Sequence, residues 1–168
     1  MTSSELLVDA FERIRDAVHP AVTGLSEDEL AFRPDGESNS IAWLVWHLTR
    51  IQDDHMAGLD SSDQVWITKG WAKKFDLPLD TADTGYGHGP EDVASVIAGP
   101  ELLLGYFEDV HQKTLQVVRS LRESDLARVV DRSWDPPVTV SIRLVSIIAD
   151  DLQHAGQAAY IRGILHRR

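Results

Sequence analysis

The sequence predicts an all-α fold, a four-helix bundle with a long loop and short-helix insertion between the second and third helices. Three observations carry this expectation. Apolar residues recur at three- and four-residue steps in four long stretches. No two alternating segments joined by a tight turn read as paired strands. The 168 residues suit one domain with a core of its own, so residues 1–168 are expected to form a single domain.

The first helix carries Leu6, Leu7, Ala10, Phe11, Ile14, Ala17 and Val18 on one side. Ser3 or Ser4 is expected to cap it, and Thr23-Gly24 to end it. Leu25 to Leu30 reads as one capped turn. Arg33 to Asn39 is loop, and Ser38 or Asn39 is the expected cap of the second helix. That helix runs to about Gly58, with Ile41, Leu44, Val45, Leu48 and Ile51 as its apolar face. Val65-Trp66-Ile67 and Gly70 to Phe75 suggest short helical pieces. Thr84-Gly85-Tyr86-Gly87-His88-Gly89-Pro90 is a long loop, and long loops inside compact domains often serve function. The third long helix spans about Pro100 to Leu121, with Pro100 in its first turn. Pro136-Pro137 forbids helix in the following linker, and Thr139 or Ser141 caps the last helix, which ends near Leu165.

Composition narrows the function. A net charge of -11 disfavours general nucleic-acid binding, which needs Lys/Arg patches on phosphates. There is no cysteine, so the chain has no thiolate nucleophile and any metal must be held by His, Asp or Glu. No apolar run approaches the ~18 residues of a membrane helix, and the start MTSSELLVDAFERIRDA lacks the pattern of a signal peptide. The expectation is a cytoplasmic protein with no membrane partner.

The unusual stretch is Asp150-Asp151-Leu152-Gln153-His154-Ala155-Gly156-Gln157, which interrupts an apolar helix. Asp150 and His154 are four apart and project from one helical face, a spacing at which two donors can close on one metal ion. At about 100° per residue, Ile147, Asp150, His154 and Ile161 share a stripe, so Asp150 is expected to face inward and Asp151 to meet solvent. An inward carboxylate and imidazole are costly unless paired or metal-bound. A third ligand must come from another helix, and His47, beside Leu48 and near Ile51, is the best placed. His55 lies further round, while His19, His88, His111 and His166 fall near helix ends, in loops or on polar faces. Plainer readings stand beside this one. A single His on an apolar face is usually a hydrogen-bonded core residue, and Asp150 with His154 also reads as a buried pair in which the acid sets the tautomer.

The stretches Asn39-Ser40-Ile41-Ala42-Trp43-Leu44-Val45-Trp46-His47-Leu48 and His154-Ala155-Gly156-Gln157-Ala158-Ala159-Tyr160-Ile161-Arg162-Gly163 resemble the DinB-like superfamily, in particular its DUF664 type. Gly70-Trp71, Thr84 to His88 and Trp134 to Thr139 extend the likeness over nearly the whole chain. The resemblance implies a four-helix bundle with a divalent metal, zinc or nickel, on three side chains. His47 matches the ligand of the second helix, and His154 matches the second member of a last-helix HxxxHxGQ pattern. Asp150 stands where the pattern's first His is expected; related mycothiol-dependent isomerases place a glutamate there.

Within the superfamily the chain looks closest to the mycothiol S-transferases. That likeness implies metal-dependent conjugation of a low-molecular-weight thiol such as mycothiol to a small electrophile, and a homodimer. Gln157 and Tyr160 then orient ligand, Arg162 meets an anionic group, and the Tyr86-Gly87-His88 loop borders the mouth. Two other classes stay open: a metal-dependent hydrolase of small amides or esters, with His55 the one base to test, and a non-enzymatic bundle that binds a metal or small molecule.

Overall fold

Three of the four long helices begin where a hydroxyl side chain satisfies an otherwise orphaned backbone N–H group. The computed structural model of the chain describes residues 2–167. Helix α1 (Ser3–Val22) starts at Thr2, whose hydroxyl accepts from the Glu5 amide while Glu5 reaches back to the Thr2 amide. The cap is therefore Thr2, not Ser3 or Ser4, because only Thr2 places its acidic partner three residues on. Ser26 and Glu29 repeat this box at α2 (Glu27–Ala31). Ser40, not Ser38 or Asn39, caps α3 (Ile41–Asp60). Ser38 is held back in the loop by the Asp35 carboxylate, which accepts from both its amide and its hydroxyl.

Short helices α4 (Val65–Thr68) and α5 (Trp71–Phe75) form the expected insertion. A further short helix, α6 (Pro90–Ser95), follows the glycine loop and was not expected from the sequence. Helix α7 (Pro100–Ser120) opens with Pro100 in its first turn. Between α7 and the last helix lies a small antiparallel pair, β1 (Val129–Asp131) and β2 (Val138–Thr139). The sequence hides it because each strand is too short to show alternation. Helix α8 (Val140–Leu165) is capped by the Thr139 hydroxyl.

Helices α1, α3, α7 and α8 make a four-helix bundle. Both α1 and α3 pack against α7 and against α8, so α1 lies diagonally across from α3. Phe11, Ile14, Val18, Leu44, Leu48, Phe107, Val110, Leu144 and Ile147 are fully buried between them. The first ten residues of α3 are buried on every side. The loop after α2 helps: Arg33 donates to the carbonyls of Ser38 and Pro90, joining that loop to the start of α6. Among the described residues, no helix is long and apolar enough to cross a membrane.

A buried cluster ties the insertion to α3. The Arg50 guanidinium has no solvent exposure and donates to the carbonyls of Asp83 (3.0 Å) and Thr81 (3.4 Å), to Gln64 Oε1 (2.7 Å) and to the Tyr106 hydroxyl (3.3 Å). It also lies 4.9 Å over the Trp66 ring. Asp53, one turn on, accepts from the amides of Val65 and Trp66 and so caps α4 from inside the bundle.

Candidate metal centre

His47 comes from α3, and Asp150 and His154 come from adjoining turns of α8. Helices α3 and α8 are packed neighbours, which brings the three side chains together. One donor atom from each falls within 4.8 Å of the other two. His154 Nε2 is 3.4 Å from Asp150 Oδ1, and the two imidazole rings are 4.9 Å apart, centre to centre. His47 is buried, whereas the side chains of His154 and Asp150 keep 17% and 34% exposure. The cluster thus has a closed wall on the α3 side and an opening on the α8 side.

Both imidazoles are held in a defined tautomer. His47 Nδ1–H donates to the Thr84 carbonyl at 2.6 Å, which leaves the Nε2 lone pair free. His154 Nδ1–H donates to Gln157 Oε1 at 3.0 Å, with the same consequence for its Nε2. Asp150 Oδ2 is buried with no hydrogen-bond partner. Two imidazoles with Nε2 left available and a carboxylate with an unsatisfied oxygen, brought together from two helices, have the chemistry to hold a divalent cation. Burial pushes the His47 pKa below its usual value, which keeps the ring neutral and able to ligate. Burial acts on Asp150 and His154 too, but their mutual attraction, with Gln157 adding to it at the imidazole, overrides it, lowering the acid and raising the base. An imidazolium at His154 would compete with a bound ion, so occupancy should weaken as pH falls.

The wall is built by Trp43 and the glycine loop. Trp43 stacks on His47 at 4.6 Å, one turn earlier on α3. Its indole N–H donates to His88 Nδ1 (3.0 Å), and His88 Nε2–H donates to Asp83 (2.9 Å). Both nitrogens of His88 are therefore engaged, and it stands behind Trp43 rather than among the three donors. Gly85 lies against His47 itself: a Cβ there would come within 2.7 Å of His47 Nδ1, and its φ is +89°. The glycine of this loop lets the chain pass close enough for the Thr84 carbonyl to reach the imidazole.

Gln157 and Tyr160 line a groove of about 730 Å³ together with Gln153, Leu44 and residues of the 34–39 loop. Because Gln157 also holds His154, this groove abuts the donor cluster. Tyr160 is 68% exposed at its rim. Arg162 points elsewhere, toward the Ala21 carbonyl at the end of α1. His55 sits in a separate groove beside Arg143 and Asp131, with Arg143 Nη1 3.2 Å from its Nε2.

Besides Arg162, Asp151 and His111 are not where the sequence suggested. Asp151, expected in solvent, is fully buried. The core stripe of α8 runs through Leu144, Ile147, Asp151, Ala155 and Ala158, whereas Asp150 and His154 lie on the flank that faces α3. A helix shared by two neighbours centres its core between them, so residues that meet only one neighbour sit off centre. His111, expected on a polar face, is 1% exposed and stacked beside Phe107.

The profile of the Mycothiol-S-transferase family matches residues 6–166 of this chain. Among solved structures, the chain is similar to one described as the conserved protein of a locus from Enterococcus faecalis. The two are 32% identical, with a TM-score of 0.92, over 100% of this chain and 99% of that one. No curated protein matches.

Proposed function

The chain belongs to the mycothiol-S-transferase family, and on that premise we propose that it is a metal-dependent transferase joining a mycothiol-like thiol to small electrophiles. The observation that supports this most is the convergence of His47, Asp150 and His154, one donor atom from each lying within 4.8 Å of the other two. In this reading the three side chains hold a divalent ion, zinc or nickel. A bound divalent cation lowers the pKa of a thiol and so supplies thiolate at neutral pH.

The residues around the cluster do the rest. Thr84 and Gln157 hold the two imidazoles in the tautomers that present Nε2. Trp43 and Leu44 close the α3 side against water. The groove beside Gln157 and Tyr160 seats the small molecule next to the open side of the cluster. The chain contains no cysteine, so the sulfur nucleophile arrives with the co-substrate. We also read the protein as acting in the cytoplasm and as a homodimer. The hydrolytic reading loses its base here, because His55 faces Arg143 and Asp131 in a different groove.

The test uses protein loaded with zinc or nickel and an electrophile such as 1-chloro-2,4-dinitrobenzene, followed with and without mycothiol. Consumption that requires both thiol and protein, and that is lost in His47→Ala, is the expected result. Turnover of a chromogenic ester without thiol would instead support a hydrolase. Stoichiometric metal with neither activity would leave a binding protein.

A further inference from the structure

The Trp43 ring meets both imidazoles of the donor cluster. It stacks on His47 with centres 4.6 Å apart and planes 13° apart, and it stands edge-on to His154 at 6.2 Å and 83°. One indole thus touches a histidine of α3 and a histidine of α8, and its tilt is passed to both. Burial excludes water from this ring but does not by itself set its tilt, because the χ2 torsion of tryptophan has a broad minimum. A directional bond to the indole N–H sets what packing leaves open.

That bond goes to His88. Trp43 Nε1–H donates to His88 Nδ1 at 3.0 Å, and His88 Nε2–H donates to Asp83 at 2.9 Å. Asp83 is anchored in turn. Its other carboxylate oxygen accepts from the Gly85 amide at 2.8 Å, and its carbonyl accepts from the buried Arg50 guanidinium. The His88 side chain is 6% exposed and lies flat against Trp46, with ring centres 5.9 Å apart. Both of its nitrogens are spent on this chain, so it has no lone pair to offer an ion. We infer that His88 is a positioning residue of the metal centre, which fixes the Trp43 indole against both imidazole ligands while Asp83 fixes His88. His88 has this role only if the cluster holds an ion, as proposed for it. A simpler role would be to fasten the loop that carries Thr84 to His47. The two halves of the chain separate these roles, because only the His88–Trp43 half reaches the indole.

Zinc titration by calorimetry, with cobalt(II) as a spectroscopic probe of the same site, tests the inference. His88→Gln places its amide where Nε2 stands, so it keeps a donor for Asp83 and loses the acceptor for Trp43. It should bind zinc about 10- to 100-fold more weakly than the parent. Its cobalt complex should show shifted visible bands, because the bands follow ligand geometry; lost stability alone would not move them. His88→Asn places an amide oxygen where Nδ1 stands, keeps the acceptor for Trp43, and should bind zinc more tightly than His88→Gln. Trp43→Phe keeps a ring but has no N–H, so adding His88→Gln to it should change zinc affinity by no more than about twofold. Independent, additive losses would mean that His88 acts through the loop and would overturn the inference. So would a folded His88→Gln with the parent's affinity and cobalt spectrum. Should His88→Gln fail to fold, Trp43→Phe alone decides, since it removes the other end of the same bond: a shifted cobalt spectrum supports the role and an unchanged one overturns it. A parent that binds neither zinc nor cobalt would overturn the metal centre itself along with this role, whereas a loaded parent with indifferent variants overturns this role alone.

Discussion

Asp151 carries a carboxylate into the middle of the bundle, and neither of its oxygens has a hydrogen-bond partner among the described residues. Burial, with Asp150 adding to it, pushes its pKa well above the usual carboxylate value. The native state thus holds a proton that the unfolded chain releases above about pH 4. Unfolded chains bind fewer protons over that range, so this residue's contribution to stability falls as pH rises from there toward the native pKa. Asp151→Asn should be near the parent in urea melts at about pH 4 and more stable than it by about 1–3 kcal/mol near neutral pH. A constant difference across that range would show that the carboxyl does not titrate as described. Gly85 is the other decisive single position. Gly85→Ala would meet both a positive φ and the His47 ring, costing about 1–3 kcal/mol. It should also weaken metal binding about 10- to 100-fold through the displaced Thr84 carbonyl, as read by calorimetric titration with zinc. Wild-type affinity in that variant would contradict the role given to the loop. At this scale the sequence made the three donors legible through the i, i+4 spacing on α8 and the family likeness of His47. It misplaced Asp151 because a stripe drawn through Asp150 and His154 marks the α3-facing flank rather than the core centre.

Among the elements, the segment from Thr81 to His88 does most to shape the site, and it has no regular structure of its own. Arg50 holds it by two of its carbonyls, Asp83 ties it to His88, and Thr84 delivers it to His47. Arg50→Lys keeps the charge but loses the planar fork that reaches several acceptors at once. Urea denaturation should show a loss of about 1–3 kcal/mol for the acceptors left unsatisfied, with metal affinity falling alongside. A variant that melts like the parent would mean the loop is held by other contacts. The glycines in Thr84 to Gly89 flagged this loop, since only a close approach or a turn needs so many. Arg50 itself carried no such flag: a lone Arg on a helix usually reaches solvent, and its acceptors come from distant carbonyls. Helix α6 and the β1–β2 pair were hidden for a simpler reason, because elements of a few residues offer too little periodicity to see.

At the scale of the molecule, the donor cluster is a junction between α3 and α8, the pair of helices that also bounds the groove. The four long helices were legible because their apolar steps persist over many turns, and their ends fell close to the capping signals. How α3 meets α8 was not legible from periodicity, since pairing depends on contacts between stretches a hundred residues apart. The proposed function requires that junction to bind an ion, so the direct test is the metal content of the purified, untagged protein, beside that of His154→Ala. About one zinc or nickel per chain in the parent, with little in the variant, is the predicted result. A parent that is empty and takes up neither metal when they are added would contradict the account, leaving Asp150 and His154 as a polar pair on the flank of α8.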